Sequence, residues 1–338
     1  MGEAIIKMRG GIKDPIESLE ITTSPIKTRY VVGEQLDLTG IIVTAIYKNG
    51  QQVNVTNDCT FSPANGATLA SANKTIVASW NFGRKTYTAS LLIDVVSMSE
   101  FWEKGTDEEV VSMITAARQG QYNLSDYWKV GDKRTITLNS IDGVGGGATH
   151  RSQQVDIVIS EFGGKRLQDN TTCLMQWDFK HCLEQECVMN TTDTNAGGYE
   201  STVIAPWLDD KVFYALPTWL QEISKPFYMT TGCGSGSSNV NTKVHKLGLR
   251  TAKEIFGNGY FGNAAEASAN NHITYYQTTK NLDKGNAYTW LATDCVDPND
   301  SYTTTKCFLA LYKFSSTTYN SSPHLATNAN GVAPYGCI

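Results

Sequence analysis

Asp294, Asp297, Asn299 and Asp300 form the densest run of oxygen ligands in the chain, beside Trp290. Calcium takes roughly six to eight such oxygens. The spacing is not that of an EF-hand loop, and Pro298-Asn299-Asp300 reads equally as a turn. The expectation is therefore a protein without a cofactor, with calcium as the one candidate ion. His181-Cys182 and Cys187 lack the second ligand pair that a zinc site needs, because His150, His245, His272 and His324 are isolated in the sequence. No metal site is expected there. Gly143-Val144-Gly145-Gly146-Gly147 lacks the Gly-Lys-Ser/Thr ending of a phosphate loop and reads as a flexible connection between strands. No Gly-x-Ser-x-Gly and no cysteine in a nucleophile motif is present. Glu161 and Asp169 would serve as a glycosidase pair, a signal that almost any chain offers. The residues thus predict no enzyme, with cell-wall hydrolysis as an alternative.

Binding is the chemistry that the residues beyond 287 offer best. Tyr288, Trp290, Tyr302, Tyr312 and Tyr319 are interleaved with asparagine, serine and threonine. Tyrosine supplies rigid contact area at low entropy cost, and the small polar residues supply adaptable hydrogen bonds. The expected ligand-binding residues are Trp290, Tyr302, Tyr312, Tyr319, Asn299 and Asn320. Diversification through adenine-rich codons, as in retroelement-variable proteins, produces the same bias.

The 338 residues are 41% hydrophobic and only 18% charged, with a net charge of −5. An acidic surface has no basic face for phosphates, which excludes nucleic acid as a partner. The apolar runs, such as residues 90–96, fall far short of the ~20 residues of a membrane span. The first residues, MGEAIIKMRGG, hold no signal peptide, and Ile6 breaks the acylation pattern. The eight cysteines are irregularly spaced and read as small buried hydrophobes rather than a disulfide framework.

The elements that must position these residues divide at about residue 96. After an N-terminal arm (1–15), residues 16–96 show no helical period. Ile41, Val43, Ala45 and Tyr47 alternate with Ile42, Thr44 and Ile46, and Asn49-Gly50 predicts a type I′ hairpin turn. Ile76, Ala78 and Trp80 share a second strand face, Phe82-Gly83-Arg84 is a turn, and residues 86–95 form the closing strand. Short strands with regular turns predict an all-β sandwich. Residues 97–338 change character. Thr106 to Glu109 is a capping box, and Val110, Met113, Ile114 and Ala117 follow as a helical stripe closed by Gly120. Residues 134–138 and 154–160 predict strands, and 217–223 and 251–257 short helices. Only short strands and turns are expected beyond Tyr288. The fold class is multidomain, an all-β unit followed by an α+β domain.

Tyr30-Val31-Val32-Gly33-Glu34, Leu36-Asp37-Leu38-Thr39-Gly40 and Val43-Thr44-Ala45 with Tyr47 and Asn49-Gly50 resemble the bacterial Ig-like family, group 3 type. The resemblance implies a spacer or adhesion module of bacterial surface or phage virion proteins and brings no catalytic residues. Residues 99–338 resemble an uncharacterised domain family of phages of Gram-positive hosts and of Firmicutes surface proteins. Trp102, Trp128, Gly131-Asp132, Gly197-Gly198-Tyr199-Glu200-Ser201, Leu216-Pro217, Glu254-Ile255-Phe256-Gly257, Tyr288-Thr289-Trp290-Leu291 and Gly331-Val332-Ala333-Pro334 carry it. That family usually has Arg-Ser after the late tryptophan, where this chain has Ala292-Thr293. By analogy its arrangement is C-type-lectin-like. The resemblances imply a phage virion protein of the tail tip, fibre or head decoration, made in the host cytoplasm and extracellular after lysis. It would bind a host cell-surface glycan or protein. Its other partners would be virion proteins, with no membrane. Homo-oligomerisation is left open, since no heptads appear. A purely structural virion subunit and a bacterial adhesin are the further alternatives.

Overall fold

Alternating side chains build the first unit, which ends at Met98, with the second spanning Ser99–Ile338. The computed structural model describes residues 15–258, 262–286, 288–296, 300–313, 315 and 318–338. The first unit holds β1 (Ile16–Thr23), β2 (Arg29–Val31), β3 (Ile42–Tyr47), β4 (Gln52–Asn54), β5 (Thr60–Ser62), β6 (Thr75–Phe82), β7 (Lys85–Leu92) and β8 (Asp94–Val96). Two antiparallel sheets, β1-β3-β4 and β5-β6-β7, accompany a parallel β2-β8 pair. Val43, Ala45, Ala78 and Trp80 pack with Ile16, Leu19 and Tyr87 in one cluster. Ile76 joins Tyr30, Leu36, Ile41 and Val95 in another. The period-2 face read from the sequence is the buried face, because residues i and i+2 of a strand point the same way.

Two local expectations are corrected. The turn after β3 is not type I′, since among Asn49 and Gly50 only Gly50 has positive φ, at 84°. Gly50 N–H donates to Tyr47 O (2.8 Å) and Tyr47 N–H to Gln51 O (2.9 Å), a type I turn closed by a left-handed glycine. The Asn49 side chain accepts from Gln51 N–H at 3.0 Å. The closing strand is also broken. β7 ends at Leu92, and β8 leaves β6 to pair in parallel with β2, so the chain changes partner at Ile93.

The second unit begins with α1 (Phe101–Lys104) and α2 (Asp107–Arg118), followed by β9 (Lys133–Leu138), β10 (Gln153–Phe162), β11 (Met175–Phe179) and β12 (Cys187–Val188). Next come α3 (Ile204–Trp207), α4 (Phe213–Ala215), α5 (Thr218–Ile223), β13 (Phe227–Gly232), β14 (Val240–His245), α6 (Ala252–Phe256) and α7 (Ala264–Ala269). The last elements are β15 (Tyr288–Asp294), α8 (Ser301–Lys306), β16 (Cys307–Lys313), β17 (Tyr319–Leu325), β18 (Ala329–Asn330) and β19 (Tyr335–Cys337). Thr106 and Glu109 cap α2 reciprocally, and its buried residues are Val110, Met113, Ile114 and Ala117. Thr251 and Glu254 do the same for α6, which Gly257 ends at φ 75°. The 143–147 run is a loop with one tight turn at Val144–Gly146.

The central sheet runs β19-β11-β10-β9, and every residue of β11 is buried. Beyond Tyr288 the chain runs in strands of seven residues or fewer as expected, and the expectation of strands and turns alone is corrected by the helix α8. β15, β16 and β17 form a three-stranded meander with Leu291, Leu309 and Leu311 packed against Ile255, Tyr275 and Tyr276. Five of the eight cysteines are buried. We expect Ile76→Ala to lower the unfolding free energy of the first unit by about 3 kcal/mol. Thr106→Ala should cost the second about 1 kcal/mol. Urea denaturation followed by tryptophan fluorescence checks both.

Candidate functional site

Between β14 and α6 the chain buries an arginine. Arg250 is 2% exposed, and each of its five N–H groups has a partner. Nε and Nη2 grip Asp178 of β11 at 3.1 and 2.6 Å. Nη1 donates to Gln176 Oε1 at 2.7 Å and to Glu254 Oε1 at 3.1 Å, and Nη2 to Ser160 Oγ at 3.0 Å. The Tyr335 ring lies 3.6 Å from the guanidinium carbon, and Tyr276 Oη donates to Asp178 at 2.6 Å. Burial disfavours all three charges, yet Asp178 and Glu254 hold Arg250 charged. Arg250, with Lys165 on Glu254, holds both carboxyls below their usual range. Glu254 has no free oxygen. Oε1 meets Arg250 and Lys165 Nζ (2.7 Å), while Oε2 accepts from the backbone N–H and hydroxyl of Thr251.

A cleft of about 330 Å³ opens over this floor. The connection between β10 and β11 brings Lys165 and Arg166 to it, anchored where Tyr228 N–H donates to Arg166 O. The Lys165 ammonium sits between Glu254 and Asn270 Oδ1 (3.4 Å). The exposed Arg166 guanidinium lies 3.8 Å over the Tyr228 ring and donates once, to Asn170 Oδ1. Glu161 is occupied by Thr274 and by Phe162 N–H. The side-chain oxygens of Glu254, Glu161, Gln176 and Asn270 already accept, while Lys165 and Arg166 keep N–H groups unspent. Asp169, its suggested catalytic partner, does not line this cleft; it caps Thr171 on the surface.

The expected aromatic surface is not assembled as read. Trp290 is 1% exposed and donates through Nε1 to Cys187 O, so it is a core residue and cannot stack on a ligand. Tyr312 pairs in register with Tyr288 and Asn320, while Tyr319 pairs with Lys313 one residue along and therefore faces the other side of the sheet. Tyr312 stacks on Tyr288 at 5.5 Å. Tyr319 packs, partly buried, against the leucine core. Asn320 is exposed. Asn299, Asp297 and the side chain of Tyr302 lie outside the described residues. Asp294, read as a calcium ligand, is fully buried beneath Gly232, where a Cβ would lie 1.9 Å from its Oδ1. Among the described residues no three His, Cys, Asp or Glu side chains converge as metal ligands.

Three further polar groups are buried where the sequence showed none together. Glu266 accepts from Gly232 N–H (2.8 Å) and Thr293 Oγ1 (2.5 Å), and burial with the nearby Asp294 pushes its carboxyl up to about 8. Asp294 is raised by burial to about 6, the N–H groups of Asp294 and Gly234 pulling the other way without reaching hydrogen-bond geometry. His245, isolated in sequence, is clasped by Asp209 Oδ2 at 3.0 Å and Glu200 Oε2 at 3.1 Å. Burial opposes its charge, but these two carboxylates outweigh that and raise it to about 9. Asp209 reaches it from a π-helical turn at Leu208–Val212 and also receives Lys246 and Leu247 N–H. His150 lies 3.5 Å from Cys187 Sγ, yet burial pushes the thiol up to about 12 and lowers the imidazole, so both are neutral and the thiol is no nucleophile.

Arg250, Asp178, Lys165 and Arg166 were not singled out from the sequence. Their one legible signal is Glu254, which stands in the capping box of α6 and in the Glu254-Ile255-Phe256-Gly257 motif. Where the resemblance would place an arginine, Ala292 instead donates its N–H to the Arg250 carbonyl. The guanidinium of this core comes from another segment.

Arg250→Met should cost about 3–5 kcal/mol, because it strands Asp178 without its ion-pair partner and leaves Lys165 alone on Glu254. Arg166→Gln, at an exposed site, should cost about 1 kcal/mol or less. Chemical denaturation of both variants distinguishes them. The pH response has a definite sign. Glu266 and Asp294 have folded pKa values raised from 4.5 and 3.8, so the folded state holds their protons longer. Their contribution is whole below the unfolded values and is lost as pH rises through about 6 and then about 8. His245, raised from 6.5, loses its contribution as pH climbs to about 9. The unaltered chain should therefore be less stable to urea at pH 9 than at pH 5.5, and Glu266→Gln should shrink that difference.

Residues 23–61 match the bacterial Ig-like domain (group 3) family. A 40-residue stretch is 50% identical to pectate lyase L of Thermoclostridium stercorarium, covering 12% of this chain and 3% of that protein. A match of that extent carries no activity with it. No helix among the described residues is long and apolar enough to cross a membrane. The first unit carries a bacterial Ig-like domain of group 3.

Proposed function

We propose that the chain is a recognition protein of a phage virion, at the tail tip, fibre or head decoration. Its Ig-like unit is the spacer that meets other virion proteins. Its second unit, in a C-type-lectin-like arrangement, binds a host cell-surface glycan or protein. The observation that carries this reading is the cleft over the Arg250 network. Its floor is fixed by buried ion pairs, its carboxylates Glu254 and Glu161 already receive four and three bonds, and Lys165 and Arg166 keep N–H groups unspent. A group serving as general base needs a free lone pair, and Glu254 and Asp178 offer none. Such a cleft is made to hold an oxygen-rich ligand in place. The half-buried Tyr312 with the exposed Asn320 beside it on the meander supplies a second contact area.

The experiment is co-sedimentation of the full chain with envelopes from a panel of Gram-positive bacteria, run beside zymography on the same envelopes. Saturable binding to at least one envelope without clearing is expected. Clearing of the peptidoglycan, or no binding to any envelope, would overturn the reading.

A further inference from the structure

The hydrogen-bond arithmetic of the cleft names the chemistry of its ligand. Glu254 receives four bonds, Glu161 three, the Gln176 oxygen is taken by Arg250, and the Asn270 oxygen by Lys165. A ligand that arrives with protons to donate finds these acceptors occupied. A ligand that arrives with lone pairs finds the opposite. Lys165 spends two of the three N–H groups of an ammonium, on Glu254 and Asn270. Arg166 spends one of five, and its stacking on Tyr228 holds the guanidinium plane in position while leaving its edge to solvent. Asn271 lines the same cleft, exposed. Arg250 and Lys165 balance Asp178 and Glu254 beneath, so the floor is neutral, and on the walls the Arg166 guanidinium offsets the Glu161 carboxylate, which is held by neutral donors only. The volume is at the lower end of the range for small-molecule sites, about 300 Å³ and upward, which suits a single sugar-sized unit.

We propose that this cleft binds an oxyanion, the carboxylate or phosphate ester of a polyhydroxylated surface polymer, with Lys165 and Arg166 as charged donors and Tyr228 and Asn271 as neutral contacts. The assignment rests on the recognition reading and deepens it. Charge-assisted bonds from a guanidinium to such an oxygen pair are short and strong. They select the acidic unit against a neutral sugar, whose hydroxyls cannot draw on two cations.

The test is isothermal titration of the full chain at low salt with D-glucuronate, glycerol 3-phosphate and D-glucose. Saturable binding of at least one anion is expected, with glucose at least about tenfold weaker and the anion affinity falling as salt is added. Arg166→Gln should weaken the anion about tenfold, and Asn271→Ala less. Both positions are exposed, so these variants keep the fold, whereas a Lys165 variant would leave two buried carboxylates, Asp178 and Glu254, against Arg250 alone. Binding of glucuronate alone assigns a carboxylate polymer, and of the phosphate alone a phosphate ester. The proposal falls if neither anion saturates, if glucose binds as tightly, or if Arg166→Gln binds like the unaltered chain. Envelope sedimentation separates the two levels. An Arg166→Gln chain that still sediments fully with the envelopes leaves the recognition reading standing and removes the cleft from it.

Discussion

The second unit depends on one desolvated guanidinium. Taking Arg250 out of water costs several kcal/mol, and only near-complete hydrogen bonding with opposite charge nearby offsets it. The partners come from four separate places: Ser160 in β10, Gln176 and Asp178 in β11, Glu254 in α6 and the Tyr335 ring in β19. Each is in or beside the central sheet. A shift of any of these elements would open a buried polar group, so the network locks strand to strand and helix to sheet more narrowly than apolar contact would. Lys165 completes it. Without the ammonium on Glu254 the floor would hold two carboxylates against one cation, and with it the charges cancel.

The same low dielectric yields opposite states elsewhere in this unit. Asp178 and Glu254 face cations and stay ionised, whereas burial without a cation raises Glu266 to about 8 and Asp294 to about 6, so Glu266 keeps its proton at neutral pH and Asp294 gives its up just below it. His245 between Asp209 and Glu200 is an imidazolium for the reason that Asp178 is a carboxylate. Glu266, Asp294 and His245 line no part of the cleft. Glu266 ties α7 to β13 and β15 through Gly232 and Thr293, and chemistry at the cleft is left to side chains with one end in solvent.

The Ig-like unit is built differently. Its two clusters are apolar, and its strands are tied by register and turns rather than by buried charge. A module held by non-directional burial tolerates a varied surface, which suits a spacer. A module held by directional charge keeps its groups in fixed geometry, which suits recognition.

Local pattern determined much of this protein from the sequence alone. The alternation of Val43 and Ala45, the stripe Val110, Met113, Ile114 and Ala117, and the two capped helices are short-range facts. Strand and helix periods and caps are decided within a few residues. The tyrosine-rich segment marks where local pattern fails. Composition named Trp290, Tyr312 and Tyr319 together, but strand register turns Tyr319 to the face opposite Tyr312, and Trp290, on the Tyr312 face, is buried in the core. Register is set by pairing with β16, and pairing is tertiary. The site was hidden for the same reason. Asp178, Arg250 and Glu254 are 72 and 4 residues apart along the chain, and nothing in their spacing says that the fold closes β11 over the start of α6. Burial then gives those ordinary residues their meaning, because a charge that is inexpensive in water must be answered by name inside a core.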